Sequence, residues 1–348
     1  MISGKKYFFY IYDVAQEINL QKIEKIFKKS PALFEFSYSR LMPLYVKLEP
    51  APLEIILKRK IGQKECKVII HIYSIGVISI CFVMDFSGSE KEIMALVDEG
   101  EIKSNAEHLL QSTIDMIKDA LEKPTSETFY EDYKVLVLKE LDLPANEFIK
   151  KHKKEIAAFL REETNPEELS EDEIKRAFEV AFSYYSNDFC LPGYVNSFVI
   201  EPGNEKDIIT IFEIANIQLL EFRFYSNLLD KLIDKAYEDL RKIRNSKFGI
   251  GSIPWQEIAS LKLEITEMIE NVLNYSKFTG DWHTARVYNA TVKKLHIDEL
   301  REEIKRKLDV LTELYAVATQ NIEAKRANFL ELLIVILILI EILLFFFK

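Results

Sequence analysis

Few residues in this chain are placed to do chemistry, and those few are scattered. Cys66, Cys81 and Cys190 show no C-x-x-C spacing, which leaves out zinc ribbons and dithiol redox centres. Three thiols are too few for a disulfide framework, so they read as buried free thiols in a reducing compartment. The five histidines stand apart: His71 falls in an apolar strand-like run, His108 and His152 in helical stretches, His283 beside Trp282, and His296 ahead of a long helix. No two share the spacing at which one element presents a metal, so each reads as structural. Asp281, His283 and Arg286 lie close together at a turn, and make either a local polar site or a hydrogen-bonded turn. Lys150, Lys151, Lys153 and Lys154 form a basic cluster suited to phosphate or acidic lipid, offset by nearby acids. The sequence holds no G-x-x-x-x-G-K-[ST] loop, no G-x-G-x-x-G after a strand and no G-x-S-x-G elbow. No catalytic set, no cofactor and no metal is therefore expected. Two further acids, Glu331 and Glu341, stand out for where they lie.

They interrupt ANFLELLIVILILIEILLFFF, residues 327–347, where Asn328 is the only other polar residue. Crossing a bilayer core of ~30 Å takes about 20 helical residues, and a helix apolar on every face must be buried or in lipid. One membrane-spanning helix is expected over residues 327–348. Lys325 and Arg326 precede it and Lys348 follows, which by the positive-inside rule keeps the body cytoplasmic. The run Tyr7–Tyr12 is too short for a signal-peptide core. A carboxylate at such depth costs roughly 2.5–3.5 kcal/mol. Glu341 is therefore protonated or paired at an oligomer or partner-helix contact, or else snorkels to the far headgroups.

Upstream, apolar residues recur at Leu300, Ile304, Leu308, Leu311, Tyr315, Ala318 and Ile322, in steps of three and four that make a coiled-coil-like seam. Glu299, Arg301, Glu302, Lys305, Arg306 and Lys307 clothe the other faces. A shorter helix precedes it, with Pro254 in its first turn, a stripe through Ile258, Leu261, Ile265 and Val272, and a turn at Gly280. The two helices make either an antiparallel hairpin or a parallel homo-oligomeric coiled coil.

The body is expected to be α+β. Lys6–Val14 and Tyr133–Lys139 read as strands, each followed by a helix. Cys66–Tyr73 with Gly76–Phe86, and Phe178–Tyr185 with Tyr194–Glu201, read as hairpins. Each hairpin leads to a cap residue, Ser89 or Asn204, with an acid three positions on, and Ser170 with Glu173 repeats the pattern. The match suggests two βαββ-like units related by internal duplication, chance resemblance being the alternative, each sheet covered by helices on one side. Expected boundaries are 1–130 and 131–250 for the two units, 251–326 for the helical stalk and 327–348 for the anchor. A length of 348 residues suits two domains. With 48% hydrophobic residues the chain is not disordered, and a net charge of −10 excludes a general nucleic-acid binder.

Lys307-Leu308-Asp309-Val310-Leu311, Glu313-Leu314 and Phe329-Leu330-Glu331 leading into Val335–Leu343 resemble the C-terminus of the required-for-meiotic-nuclear-division family. In that family's tail a Leu-Glu entering the hydrophobic segment is followed ten residues on by a second Glu, as Glu331 and Glu341 are here. Tyr73–Phe86 resembles its aromatic-Gly-Val-Val-Val-Phe-Trp strand, with Ser79 and Ile80 where an apolar residue and an aromatic are usual. Leu332 replaces a frequent Trp and Lys305 a common Asn. The resemblance implies a domain without established enzymatic activity, a helical stalk and a membrane anchor. Eukaryotic relatives are linked to the mitochondrial inner membrane and to organellar translation.

The function expected is a membrane-anchored, non-enzymatic scaffold or tether whose cytoplasmic head binds a protein or ribonucleoprotein partner, with the link to translation resting on the resemblance alone. The alternatives are a membrane-bound enzyme with a dispersed site between the two units, and a homo-oligomeric membrane structural protein with Glu331 and Glu341 at its helix contacts. Expected partners are the membrane, a second copy or another protein, and no direct sequence-specific nucleic acid. A deep pocket of converging His, Asp or Arg would favour the enzyme over the tether.

Overall fold

The computed structural model describes residues 2–29, 37–41, 50–62, 64–88, 100–245, 260, 262–263, 265–267, 269–270 and 282–346. The cap expected at Ser89, the first turn at Pro254, the turn at Gly280 and Asp281 lie outside those residues. The chain divides into two compact units, Met1–Glu221 with Glu270–Asp298, and Phe222–Ile269 with Glu299–Lys348.

The first unit is built on one eight-stranded sheet. In chain order its elements begin β1 (Ile2–Ile18), α1 (Leu20–Lys29), β2 (Ser37–Arg40), β3 (Leu53–Ile61), β4 (Lys64–Ile72), β5 (Val77–Gly88), α2 (Gly100–Ile117) and β6 (Leu121–Glu140). They continue with α3 (Ala145–Lys151), α4 (Lys153–Arg161), α5 (Glu171–Ala177), β7 (Phe189–Leu191) and β8 (Asn196–Ile200). Three helices follow: α6 (Lys206–Asn245), α7 (Trp282–Leu295) and α8 (Ile297–Phe346). The strand order is β2-β3-β4-β5-β1-β6-β8-β7. Every neighbouring pair is antiparallel except β6 with β8.

The sequence of β1 explains its central place. A strand buried on both faces reads as a continuous apolar run rather than an alternation, and Tyr7 through Tyr12 are all buried. Phe8, Tyr10, Tyr12 and Val14 point into a core with Ile55, Ile70 and Ile80 that α1 and α2 close. On the same face, Leu136, Leu138 and Phe198 pack under α3, α4 and α5 through Phe148, Ile156 and Ile174. The opposite face of β1 carries Tyr7, Phe9, Ile11 and Asp13, and α6 lies against it. Tyr7 bonds to Glu205 just ahead of α6, and Tyr133 stacks near Phe212 at 6.0 Å between ring centroids. Ile208–Phe222 of α6 is buried at every position, because α7 covers it as well: Tyr288 Oη donates to Gln218 Oε1 at 2.8 Å.

Two details depart from expectation. Helices cover both faces of a single sheet rather than one side of two, since the aromatic run of β1 leaves neither face fit for water. The two strand-rich halves meet edge to edge through β1 and β6, and their inner pairings differ in sense, β1 with β5 antiparallel but β6 with β8 parallel. The hairpin Cys66–Tyr73 with Gly76–Phe86 forms as β4–β5, turning at Gly76, whose φ of 92° no L side chain adopts comfortably. The second hairpin is Phe189–Leu191 with Asn196–Ile200, and of the expected strand Phe178–Tyr185 a lone bridge from Phe182 to Cys190 remains. Phe178, Val180 and Ala181 instead fill the core beside α5. The caps at Ser170 and Asn204 form, accepting from the backbone N–H of Glu173 and of Lys206.

In the second unit, α8 buries Ile304, Leu308, Leu311, Tyr315, Ala318 and Ile322 of the expected seam, while Leu300, its first member, is half-buried. Ala318 and Ile322 pack on Ile243 of α6. Lys307 donates to Ser226 Oγ at 2.7 Å and to Asp230 at 2.8 Å, and Lys325 donates to the Ile243 carbonyl at 2.6 Å. These contacts advance along both helices together, so α6 and α8 run parallel there. The described residues between 260 and 270 are helical, with Ile265 and Ile269 buried. Beyond the seam, every large apolar side chain of α8 from Phe329 to Phe345 is exposed. It is a helix long and apolar enough to cross a membrane.

Candidate functional site

The residues singled out in the sequence fall in different units, Glu331 and Glu341 in the second and His283 and Arg286 in the first. Glu331 and Glu341 sit on the exposed apolar part of α8, flanked by exposed apolar side chains. His283 and Arg286 sit on the first two turns of α7 against the segment that follows α5. Arg286 lies over the Phe182 ring at 4.9 Å, and His283 meets Tyr184 edge-on at 5.5 Å between centroids. Asp188 accepts from the backbone N–H groups of Tyr184 and Tyr185 and holds that segment out. The result is an aromatic surface with Trp282 77% and Tyr185 67% exposed. Trp282, Arg286, Asn289 and Lys293 form the solvent stripe of α7, which carries no carboxylate.

A second constellation was not legible in the sequence. On the sheet face beneath α6, a pocket of about 210 Å³ is lined by Lys5, Tyr7, Glu54, Lys67, His71 and Cys81 from the strands. Glu205, Lys206, Thr210 and Glu213 close it from the start of α6 and the residue before it. The strand residues share one face because side chains alternate along a strand, and cross-strand register sets Phe9 opposite Cys81 and Ile69 opposite Cys81 on its other side.

His71 is the centre of this pocket's inner wall. Its Nδ1 lies 2.7 and 2.8 Å from the two carboxylate oxygens of Glu213, and its Nε2 lies 3.3 Å from Glu54 Oε2. A ring with a carboxylate on each nitrogen is satisfied as an imidazolium, which donates from both. Burial alone would lower its pKa, but the Glu213 charge and its hydrogen bonds, with those of Glu54, push it up to about 9. At the neighbouring end, burial would raise the Glu205 carboxyl. Lys139 at 2.5 Å, Lys5 at 2.7 Å and Tyr7 Oη at 2.9 Å overcome that and hold it at about 2. Burial, then Glu205, pushes the Tyr7 hydroxyl well above its usual value. Burial and the Glu213 charge push the Cys81 thiol far up as well.

The chemistry this permits is recognition rather than attack. Cys81 is held as a thiol and so is a poor nucleophile. His71 has no free nitrogen with which to take a proton from a substrate. Every carboxylate in the pocket already has its cations from the chain. Among the described residues no three His, Cys, Asp or Glu side chains are grouped to hold a metal ion. The cations of Lys67 and Lys206 at the mouth are another matter: neither makes an ion pair among the described residues.

A third buried polar group lies further along the same face. Burial raises the Asp13 carboxyl to about 7, and burial together with Asp13 raises Glu221 well above the usual carboxylate range. Glu221 Oε1 has no hydrogen-bond partner among the described residues.

Residues 3–206 match the family described as "Uncharacterized protein MJ0711, N-terminal domain". The chain belongs to that family. It is similar to "Uncharacterized protein MJ0711" of Methanocaldococcus jannaschii, at 22% identity over 311 residues, covering 88% of this chain and 87% of the relative. No solved structure matches the chain. The MJ0711 N-terminal domain as matched runs from β1 to the first residue of α6. It therefore contains Lys5, Lys67, His71 and Glu205, while Glu213 and the apolar end of α8 lie beyond it.

Proposed function

We propose that this protein is a membrane-anchored, non-enzymatic tether, with α8 spanning the bilayer and the α+β head on the cytoplasmic side. The observation that carries the proposal is the change of character along α8. Up to Ile322 its apolar seam is buried against its own chain, and from Phe329 to Phe345 its apolar residues face outward on all sides. Roughly 25 cal/mol per Å² of apolar surface is forfeited when such a helix stays in water, and a bilayer removes that cost. Lys325 and Arg326 at the near end favour the cytoplasmic side for the head, and the resemblance of the tail to that of an anchored family supports the same reading.

The head then binds a protein or ribonucleoprotein partner. The surface of Tyr184, Tyr185, Trp282 and Arg286 has the composition of an interface hot spot, where Trp, Tyr and Arg dominate. Glu331 and Glu341 are assigned to helix contacts within the membrane, with a partner helix or a second copy of α8. Against the enzyme reading stand the doubly bonded His71 and the protonated Cys81.

The test is fractionation of cells expressing the full chain or a chain ending at Asn328, followed by alkaline carbonate extraction and protease treatment of sealed vesicles. The full chain is expected in the carbonate-resistant pellet, with the head cleaved only from the cytoplasmic side. A full chain that extracts into the supernatant, or a head shielded from cytoplasmic protease, overturns the proposal.

A further inference from the structure

We propose that the pocket beneath the start of α6 binds a small organic anion, a carboxylate or phosphate monoester carried on an apolar body. The pocket divides into two walls. Phe9, Ile56, Ile69 and Ile209 make an apolar one, and the other carries the charges. Its three carboxylates, Glu54, Glu205 and Glu213, are satisfied from within the chain, two by His71 and one by Lys5, Lys139 and Tyr7. A cation entering there would have to displace one of those donors.

An anion would not. Lys67 and Lys206 both line the pocket, and neither lies within ion-pair distance of a carboxylate among the described residues, though the Lys206 charge acts on Glu54 from further off. The acids are outnumbered: Lys5, Lys67, His71 and Lys206 face three carboxylates, and Lys139 adds a further cation on Glu205. This local excess sits in a chain of net charge −10, so it does not follow from bulk composition. The 40-residue helix α6 begins at Lys206, which adds the positive end of its dipole to the same mouth. A volume of about 210 Å³ equals about seven water molecules at ~30 Å³ each, which admits one anionic head and a short chain or single ring. The Tyr7 hydroxyl and the Thr210 hydroxyl already donate to Glu205 and to the Lys206 carbonyl, so the two lysines are left to hold the head group.

The test is isothermal titration of the full chain, in nanodiscs of phosphatidylcholine, with benzoate, phenyl phosphate and the neutral isostere benzamide. One benzoate or one phenyl phosphate is expected to bind per chain, the tighter of the two naming the head group, with benzamide silent. The Lys67→Met/Lys206→Met double variant is expected to bind at least about tenfold more weakly, the size of one lost charge-assisted hydrogen bond, and the Lys67→Arg/Lys206→Arg variant to retain binding. Both lysines are exposed, so an unchanged melting temperature confirms that the double variant folds. Absence of saturable binding by both anions, equal binding by the Met variant, or equal binding of benzamide overturns the proposal. The outcome does not depend on whether α8 spans a membrane.

Discussion

The Glu213 carboxylate receives His71 Nδ1 at 2.7 Å across the interface between α6 and β4, 142 residues apart in sequence. With Glu54 on the other ring nitrogen, the imidazolium is the form that holds α6 to the sheet.

That arrangement fixes a pH dependence. The folded pKa of about 9 exceeds the unfolded value of 6.5, so the stabilisation is complete below about 6.5 and is lost as pH rises through about 9. The loss is on the order of 3 kcal/mol. Urea unfolding of the full chain at pH 6 and pH 9.5 should show it, and His71→Gln should be destabilised at pH 6 yet close to wild type at pH 9.5. A parallel loss in both proteins would remove His71 as the cause.

Asp13 and Glu221 add a slope of the same sign at lower pH. Burial raises the Asp13 carboxyl above its ordinary value, so its protonated form stabilises the fold at low pH and that contribution is lost as pH rises through the raised value. Asp13→Asn, which cannot ionise, should gain stability relative to wild type between pH 4.5 and pH 7.5. The measurement is the difference in chemical denaturation free energy at the two pH values.

Glu205 sets the acid limit. Its folded pKa of about 2 lies below the ordinary 4.5, so its contribution is present above about 4.5 and is lost as pH falls through about 2. Glu205→Gln leaves Lys5 and Lys139 with no carboxylate and should cost about 1–3 kcal/mol at pH 6. The cost should shrink at pH 2. Together these groups place maximum stability on the acid side of neutrality, which a melting series from pH 2 to pH 10 would locate.

The strands at the centre of the sheet were legible because burial on both faces leaves a continuous apolar signature, as in Lys6–Val14 and Cys66–Tyr73. The α8 seam was legible because a single buried stripe recurs at helical period. Phe178–Tyr185 was misread because aromatic residues favour strands only where a pleated surface receives them, and here the core beside α5 takes Phe178 as a loop side chain. The pocket could not be read at all. Lys5, His71 and Glu205 come from three distant segments, and no local spacing records that β1, β4 and the start of α6 meet. One trace existed: Lys5, Tyr7 and Asp13 share a parity along β1, which puts polar groups on a face otherwise apolar. Glu205, Glu213 and Glu221 recur every eight residues on and beside α6.

The aromatic surface beside α7 makes a separate prediction. Trp282→Ala and Tyr185→Ala remove exposed side chains, so the melting temperature should change by less than about 0.5 kcal/mol in equivalent stability. Capture of stoichiometric partners from solubilised membranes should nonetheless fall by about tenfold or more if these residues are hot spots. Equal recovery with wild type would move the partner surface elsewhere.

β1 takes one neighbour from residues 77–88 and the other from residues 121–140. During synthesis it therefore waits, with one edge satisfied, while about fifty further residues emerge, about 3–10 s at 5–20 residues per second. For that interval a seventeen-residue strand rich in aromatic side chains presents unpaired N–H and C=O groups on its open edge, the kind of template that recruits strands from other chains. The nascent protein is at its most aggregation-prone just before β6 arrives, and slowing translation between residues 88 and 140 would lengthen that exposure.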